Sequence, residues 1–356
     1  SRMTRKQWAA LSLSLLGAGI GGIIAAVALV DPFEVYHKAT AFIPPITNGT
    51  QNYSNAGIAK NYEYDSVVIG SSMTENFTPS QLDRLFGGQF VKLPINGGSP
   101  FNHKQMMDLA FSSHDVRRVL YGMDIEALTY FYTSPKCEMP DYLYDNNLFN
   151  DVSYWFNKSV LSQYIPQCLS TLGQTDPDQR DTMYTWGDLY TYGRDAALAG
   201  VSISSSPVEQ MPVSTPAELS QQSLLNVEHN ILPYIQNHPD TQFIFFYPPY
   251  SLAQWYQFYA VGSLDYHLEQ KEALTAILLT YSNVEIYDFQ ARTEWILDLN
   301  HYIDAKHYGA DINAAMAEDI AAGNCRITDG SQAAQNDALL KELVGQLVHA
   351  GEWIFD

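Results

Sequence analysis

Ser66-Val67-Val68-Ile69-Gly70-Ser71-Ser72 is the stretch on which the reading of this chain turns. Its apolar residues make a short run of the kind found in strands buried on both faces, and Gly70 ends it. Two serines follow at once, before Thr78-Pro79-Ser80-Gln81 opens a helix with Thr78 as cap and Pro79 in the first helical position. A serine at the carboxyl end of a first strand is where an open parallel sheet collects ligands. Amide N–H groups gathered there can also bind an anion.

The same alternation continues downstream. Phe90-Val91-Lys92-Leu93 predicts a second strand, followed by the turn-rich Asn96-Gly97-Gly98-Ser99-Pro100 and a helix over about Asn102 to Ser112. Arg117 to Gly122 predicts a third strand. After a long break, Thr215 can cap a helix from Pro216 to about Leu232, where Pro233 ends or kinks it. Strands are expected at Gln242–Tyr247 and Val284–Tyr287, with helices near Leu264–Tyr281, Gly309–Ala321 and Gln332–Ala350. Strand–helix alternation implies an α/β fold with a parallel sheet and helices on both faces. The break, residues 129–214, is rich in Tyr, Asp, Asn, Ser and Pro and weakly periodic. It reads as an insertion over one edge of the sheet, either a lid or substrate wall or a plain surface excursion.

A second motif, Asp304-Ala305-Lys306-His307, completes a chemical set. His307 can act as general base on Ser72, and Asp304 can hold the imidazole tautomer and stabilise its charged form. A three-residue spacing lets one turn present both side chains to one cleft. The bland alternatives are a turn at Gly-Ser-Ser and a helix cap at Asp-Xaa-Xaa-His. No cluster has metal-ligand spacing, and Gly97-Gly98 lacks the wider glycine pattern of a nucleotide loop, so no cofactor is implied.

Nineteen Lys and Arg against 39 Asp and Glu leave a net charge of −20. With no basic excess to neutralise phosphates, nucleic acid is not an expected partner. Trp8 to Val30 carries no charged residue and is long enough for one transmembrane helix. Arg2, Arg5 and Lys6 precede it, and Asp31 and Glu34 follow. The positive-inside rule therefore puts the N-terminus in the cytoplasm and residues 31 onward outside. If Met3 is the native start, Arg5 and Lys6 still carry that signal. A cleavable signal peptide is the competing reading, with Ala26-Val27-Ala28 resembling a cleavage site, but the apolar run is long for one. Ala18 and Gly22 have the small-xxx-small spacing that lets another membrane helix approach. The expected organisation is a cytoplasmic tip and anchor over 1–30, a turn-rich juxtamembrane linker over 31–63, and an extracytoplasmic domain over 64–356.

These blocks resemble the SGNH/GDSL hydrolase superfamily. Gly70-Ser71-Ser72 matches its first block, with Ser71 in place of the usual Asp, so Ser72 would be the nucleophile. Asp304 and His307 match its last block. The resemblance implies a three-layer parallel-sheet, flavodoxin-like domain behind the transmembrane helix. It places the oxyanion glycine after the second strand, at Gly98 or alternatively Gly97. Its third block departs: where Gly-Xaa-Asn-Asp is expected, this chain has Gly122-Met123-Asp124. An ionised Asp124 cannot donate to an oxyanion. Asp124 is then protonated, or binds a substrate group, or leaves the task to backbone amides.

Within the superfamily, the layout looks most like membrane-anchored proteins of teichoic-acid D-alanylation, and less closely like those of envelope polysaccharide O-acetylation. That likeness implies a serine-dependent O-acyltransferase or esterase acting on cell-envelope polymers through an acyl-serine, beside a membrane-bound O-acyltransferase at the plasma membrane. The rival is a non-catalytic scaffold that binds glycan or teichoic acid and recruits that acyltransferase. A soluble secreted esterase would need cleavage after Ala28.

Other residues are weaker candidates. Phe246-Tyr247-Pro248-Pro249-Tyr250 could shape an acceptor cleft or merely terminate a strand. His301 could touch substrate or lie on the surface. His103, His114, His229 and His238 fall where solvated or capped roles dominate. Of Cys137, Cys168 and Cys325, the first two fall in one insertion and could pair outside the membrane.

Overall fold

The computed structural model describes residues 3–203, 216–350 and 354–355. They cluster into two compact units. One comprises Ser1–Tyr62 with Met139–Pro177, the other Glu63–Glu138 with Asp178–Asp356. The stretch read as a single insertion is thus divided between them. Its last residues, and the proposed Thr215 cap, lie outside the described residues.

The second unit is a mixed α/β domain. Among the described residues it holds one six-stranded sheet built from β1 (Ser66–Gly70), β2 (Phe90–Pro94), β3 (Arg118–Gly122), β4 (Gln242–Tyr247), β5 (Val284–Asp288) and β6 (Arg326–Ile327). The order is β2-β1-β3-β4-β5-β6; all pairs are parallel except β5 with β6. Val91, Val67, Val119, Phe243 and Val284 stand in register across five strands, and all are buried. This two-sided burial is why the strands read as continuous apolar runs rather than alternating ones. β6 has only two residues, too few for a sequence pattern.

Chain order in the sheet runs from β1 outward to β2, then back past β1 to β3. Between β1 and β3 the connections leave in opposite directions, which opens a crevice at the carboxyl ends of these two strands. The loops that meet there carry Ser71-Ser72 and Met123-Asp124.

In the first unit, α1 (Arg5–Val30) is one helix long and apolar enough to cross a membrane. The expected turn-rich linker instead contains α2 (Gln51–Asn61). Asp31 caps α1 in the left-handed conformation (φ 48°), and its buried carboxylate accepts the amides of Val35, Tyr36 and His37 at 3.0, 2.6 and 3.1 Å. Glu34, also buried, accepts from the Ala39 amide and the Tyr62 hydroxyl. Gly57 lets α2 close on this turn: a Cβ there would lie 2.3 Å from the Phe33 and Glu34 carbonyl oxygens. Side-chain carboxylates thus satisfy a backbone that prolines keep out of regular structure.

The helices of the second unit begin with α3 (Pro79–Phe86), which has Pro79 at its start as expected but no cap bond from the Thr78 side chain, and α4 (Pro100–Ser113). Helix Leu264–Leu278 buries Lys271, with Asp288 at 2.9 Å and Asp337 at 2.5 Å. One lysine cannot neutralise two buried carboxylates. Burial raises the Asp337 carboxyl to about 7 despite the lysine.

The folded state therefore holds a proton on Asp337 that the unfolded chain has released above pH ~3.8. Stability from this group is full below that pH and declines as pH rises toward about 7. Denaturation of the detergent-solubilised protein at a series of pH values should show that decline, and Asp337→Asn should flatten it.

Candidate active site

The serine loop is shaped by glycine at two points. Gly70 has φ +156°, and a Cβ on it would meet the Thr74 methyl at 2.5 Å. A Cβ on Gly122, at the end of β3, would meet the same methyl at 2.7 Å. Both strand ends therefore leave room for Thr74, whose hydroxyl donates to the Ser71 carbonyl at 2.8 Å and closes a 3-10 turn over Ser72–Thr74. Buried Lys92 on β2 donates to the Glu75 carbonyl just beyond that turn (2.7 Å), and burial pulls its ammonium down to about 7.

The histidine loop is a narrow turn closed by an antiparallel bridge between Tyr302 and Tyr308. Its two tyrosines anchor it to neighbouring loops. The Tyr308 hydroxyl donates to the Met73 carbonyl at 3.1 Å, and the Tyr302 hydroxyl to the Pro249 carbonyl at 2.8 Å. Asn313 donates to the same Met73 carbonyl at 3.0 Å. Ser251 donates to the Ala305 carbonyl at 2.6 Å.

Between these loops, Ser72 Oγ lies 2.9 Å from His307 Nε2, and His307 Nδ1 lies 2.8 Å from Asp304 Oδ2. Asp304 Oδ1 accepts the backbone amides of Lys306 and His307 at 2.8 and 2.7 Å. Burial works against the Asp304 charge, but the His307 side chain and these amides outweigh it and hold the carboxyl below its usual value. An ionised Asp304 accepts only, so Nδ1 carries the imidazole proton and Nε2 accepts from the Ser72 hydroxyl. Asp304 is 47% exposed, so the pair is partly screened by water.

Of the expected oxyanion groups, Gly98 does not fit: its amide donates to the Ile95 carbonyl at 2.8 Å within a tight turn. Gly97, with φ +65°, occupies the third position of that turn, and among the described residues its amide meets no protein acceptor. Ser72 opens its 3-10 turn, so its amide has no intrahelical acceptor either.

Asp124 is neither a donor nor open to substrate. It is 8% exposed and accepts from Lys306 Nζ at 3.0 Å, from Ser71 Oγ at 3.3 Å and from the Tyr250 hydroxyl. Burial opposes its charge, but Lys306 and the Tyr250 hydrogen bond prevail and hold the carboxyl below the usual range. Lys306 in turn reaches Glu126 at 2.6 Å. Burial disfavours its ammonium, yet the two carboxylates raise it above the ordinary lysine value.

Sequence reasoning missed three contributors. Ser71 and Lys306 sat inside the quoted motifs, but Lys306 meets its partner Asp124 across 182 residues of chain. Trp186 lies in the unperiodic stretch; its indole N–H donates to the Ser72 carbonyl at 3.2 Å, and its ring stands edge-on to His307.

Other expectations are corrected. His103 is buried, with Nδ1 2.7 Å from the Tyr121 hydroxyl, and burial lowers it to about 4. His301 is held by Asp298 and Asp311. Tyr250 lies fully buried behind the site. All three cysteines are free thiols: Cys137 and Cys168 fall in different units, and Cys137 donates to the Asn96 carbonyl. Among the described residues no cluster of His, Cys, Asp and Glu could hold a metal ion.

No protein-family model matches this chain, and no curated protein matches it. Among solved structures, one from Streptococcus pneumoniae, described as that of a candidate platelet activating factor, aligns over 77% of this chain and 90% of its own. Identity is 14% and the TM-score 0.39.

Removing Lys306 strands the Asp124 carboxylate. Lys306→Met should cost roughly 3–5 kcal/mol in urea denaturation, the penalty for breaking a buried pair from one side. Asp124→Asn added to Lys306→Met should recover part of that loss.

Proposed function

We propose that this chain is an SGNH-type serine acyltransferase or esterase, anchored by α1 in the plasma membrane with the sheet domain outside the cytoplasm, and acting on cell-envelope polymers such as teichoic acid or polysaccharide. The observation that carries the chemistry is the run of contacts from Ser72 Oγ to His307 Nε2 (2.9 Å) and from Nδ1 to Asp304 (2.8 Å) at the carboxyl ends of the strands. Proton transfer from a nucleophile to a general base needs that separation. The sheet order from β2 through β5 is the flavodoxin-like 2-1-3-4-5, which supports an SGNH-type domain.

In this mechanism Ser72 Oγ attacks the carbonyl carbon of an activated ester or thioester, and its proton passes to His307 Nε2. The imidazolium is stabilised by Asp304. The tetrahedral oxyanion rests on the amides of Ser72 and Gly97, in place of Gly98 and of the side chain that Asp124 does not supply. The bond to the leaving group breaks, the leaving alkoxide or thiolate takes the proton from Nε2, and an acyl-serine remains. A hydroxyl of the acceptor polymer then gives its proton to His307 and attacks the acyl carbon. The ester forms on the acceptor, and Ser72 regains its proton. With water as acceptor, the same steps make an esterase. A membrane-bound O-acyltransferase is the proposed partner.

A fluorophosphonate probe should label the intact protein at Ser72, and Ser72→Ala should abolish both labelling and acyl release from a model ester. His307→Ala should slow labelling by about 10²-fold or more. An unlabelled, folded wild-type protein would favour the scaffold that recruits an acyltransferase without chemistry of its own.

A further inference from the structure

The juxtamembrane unit exposes a group of large apolar side chains where α1 enters it. Its residues 139–177 include α5 (Val152–Trp155) and α6 (Ile165–Ser170), both of which pack against α1. Around them Leu148, Phe149, Val152, Phe156, Leu169 and Leu172 lie open, Phe149 at 92% and Leu172 at 63%. Isolated exposed leucines need no explanation, but six large apolar residues within 25 positions do.

Two further observations say what covers them. The first is depth. From Leu13 to Gly22 every residue of α1 is exposed, whereas Ile23, Ile24 and Ala28 are half-covered and Val27 is buried. The uncharged run Trp8–Val30 is about 34 Å long at ~1.5 Å per residue, close to the ~30 Å hydrocarbon core. Once α1 spans a bilayer, protein packed on Ile23 to Val27 sits at the depth of the acyl chains and headgroups, not above them. The second is charge. In a protein of net charge −20, residues 148–172 contain only Asp151, which is buried, and Lys158, which is exposed. Such a face does not repel an anionic lipid surface, and a lone lysine can reach up to headgroup phosphates.

We infer that Leu148, Phe149, Val152, Phe156, Leu169 and Leu172 form a membrane-embedded apron beside α1, seated in the lipid leaflet that the helix leaves at Val30. The apron turns a single tether into a broader seat: side chains on and beside two short helices enter the same leaflet as the last turns of α1. It rests on the reading of α1 as a membrane span.

The test is collision accessibility of spin labels on the full chain, reconstituted alone into phosphatidylethanolamine–phosphatidylglycerol liposomes. Nitroxides are placed at Phe149→Cys, Phe156→Cys and Leu172→Cys, with Cys137 and Cys325 changed to Ser. Leu15→Cys reports on the span itself, and Gln335→Cys on a water-exposed surface. The three apron labels should collide with oxygen several-fold more than with a water-soluble nickel chelate, as the Leu15 label does, and the Gln335 label should show the reverse. Apron labels that behave like Gln335 while Leu15 stays in lipid would overturn the apron and leave the span intact. A water-accessible Leu15 label would overturn the span and the apron together. Dipolar broadening between copies with low oxygen access at Phe149 would assign the face to a second copy of the chain and overturn lipid as its occupant.

Discussion

A buried carboxylate needs a counter-charge, and the candidate site is organised around meeting that need. Asp124 stands at the end of β3, in the crevice beside β1, with little water to stabilise its charge. Lys306 supplies the compensating ammonium from a loop far along the chain, while Ser71 and Tyr250 supply the remaining donors. His307 is the residue after Lys306, so the loop that neutralises Asp124 also delivers an imidazole to Ser72. Ser71 precedes Ser72 and donates to the same Asp124 oxygen that accepts from Lys306, so that carboxylate also steadies the serine loop. One anion thereby aligns two halves of the proposed machinery without touching the reacting atoms.

Around that ion pair, the backbone is held mostly by side chains reaching carbonyls. The Met73 carbonyl accepts from Tyr308 and Asn313, the Glu75 carbonyl from Lys92, and the Ser72 carbonyl from Trp186. A 3-10 turn this short satisfies few of its own carbonyls, so donors from β2, the histidine loop, the helix after it and Trp186 complete it. These donors come from three separate parts of the chain, which restrains the proposed nucleophile from several directions. The glycines at 70 and 122 serve the same turn by absence: any side chain there would displace Thr74, whose hydroxyl closes the turn.

The first unit solves a different problem by similar means. The chain leaves α1 through an irregular turn whose buried amides need acceptors. Asp31 and Glu34 supply them with buried carboxylates that accept the amides the turn leaves free. Pro44-Pro45, Asn48-Gly49 and several polar residues made that region read as a linker, because such residues signal irregular backbone and say nothing about how well that backbone is packed.

Local physics made much of this protein legible in advance. Strands β1 to β5 announced themselves as short apolar runs, α3 by its Thr-Pro start, and α1 by an uncharged stretch the length of a membrane, because each is specified by residues adjacent in the chain. Ser72 and Asp304, the candidate partners of a general base, could be named because their chemistry restricts the residue types. What lay beyond reach was everything that depends on distant segments sharing a low-dielectric space. Whether Gly98 or Gly97 has a spare amide depends on which closes the turn after β2. The state of Asp124 depends on a lysine 182 residues away, and Trp186 is placed by contacts that no periodicity encodes. Sequence alone determined strands β1 to β5, the long apolar helix and which groups could react; only the tertiary structure decided which amides are already spent and which charges are paired, because hydrogen bonds and burial are settled by neighbours in space.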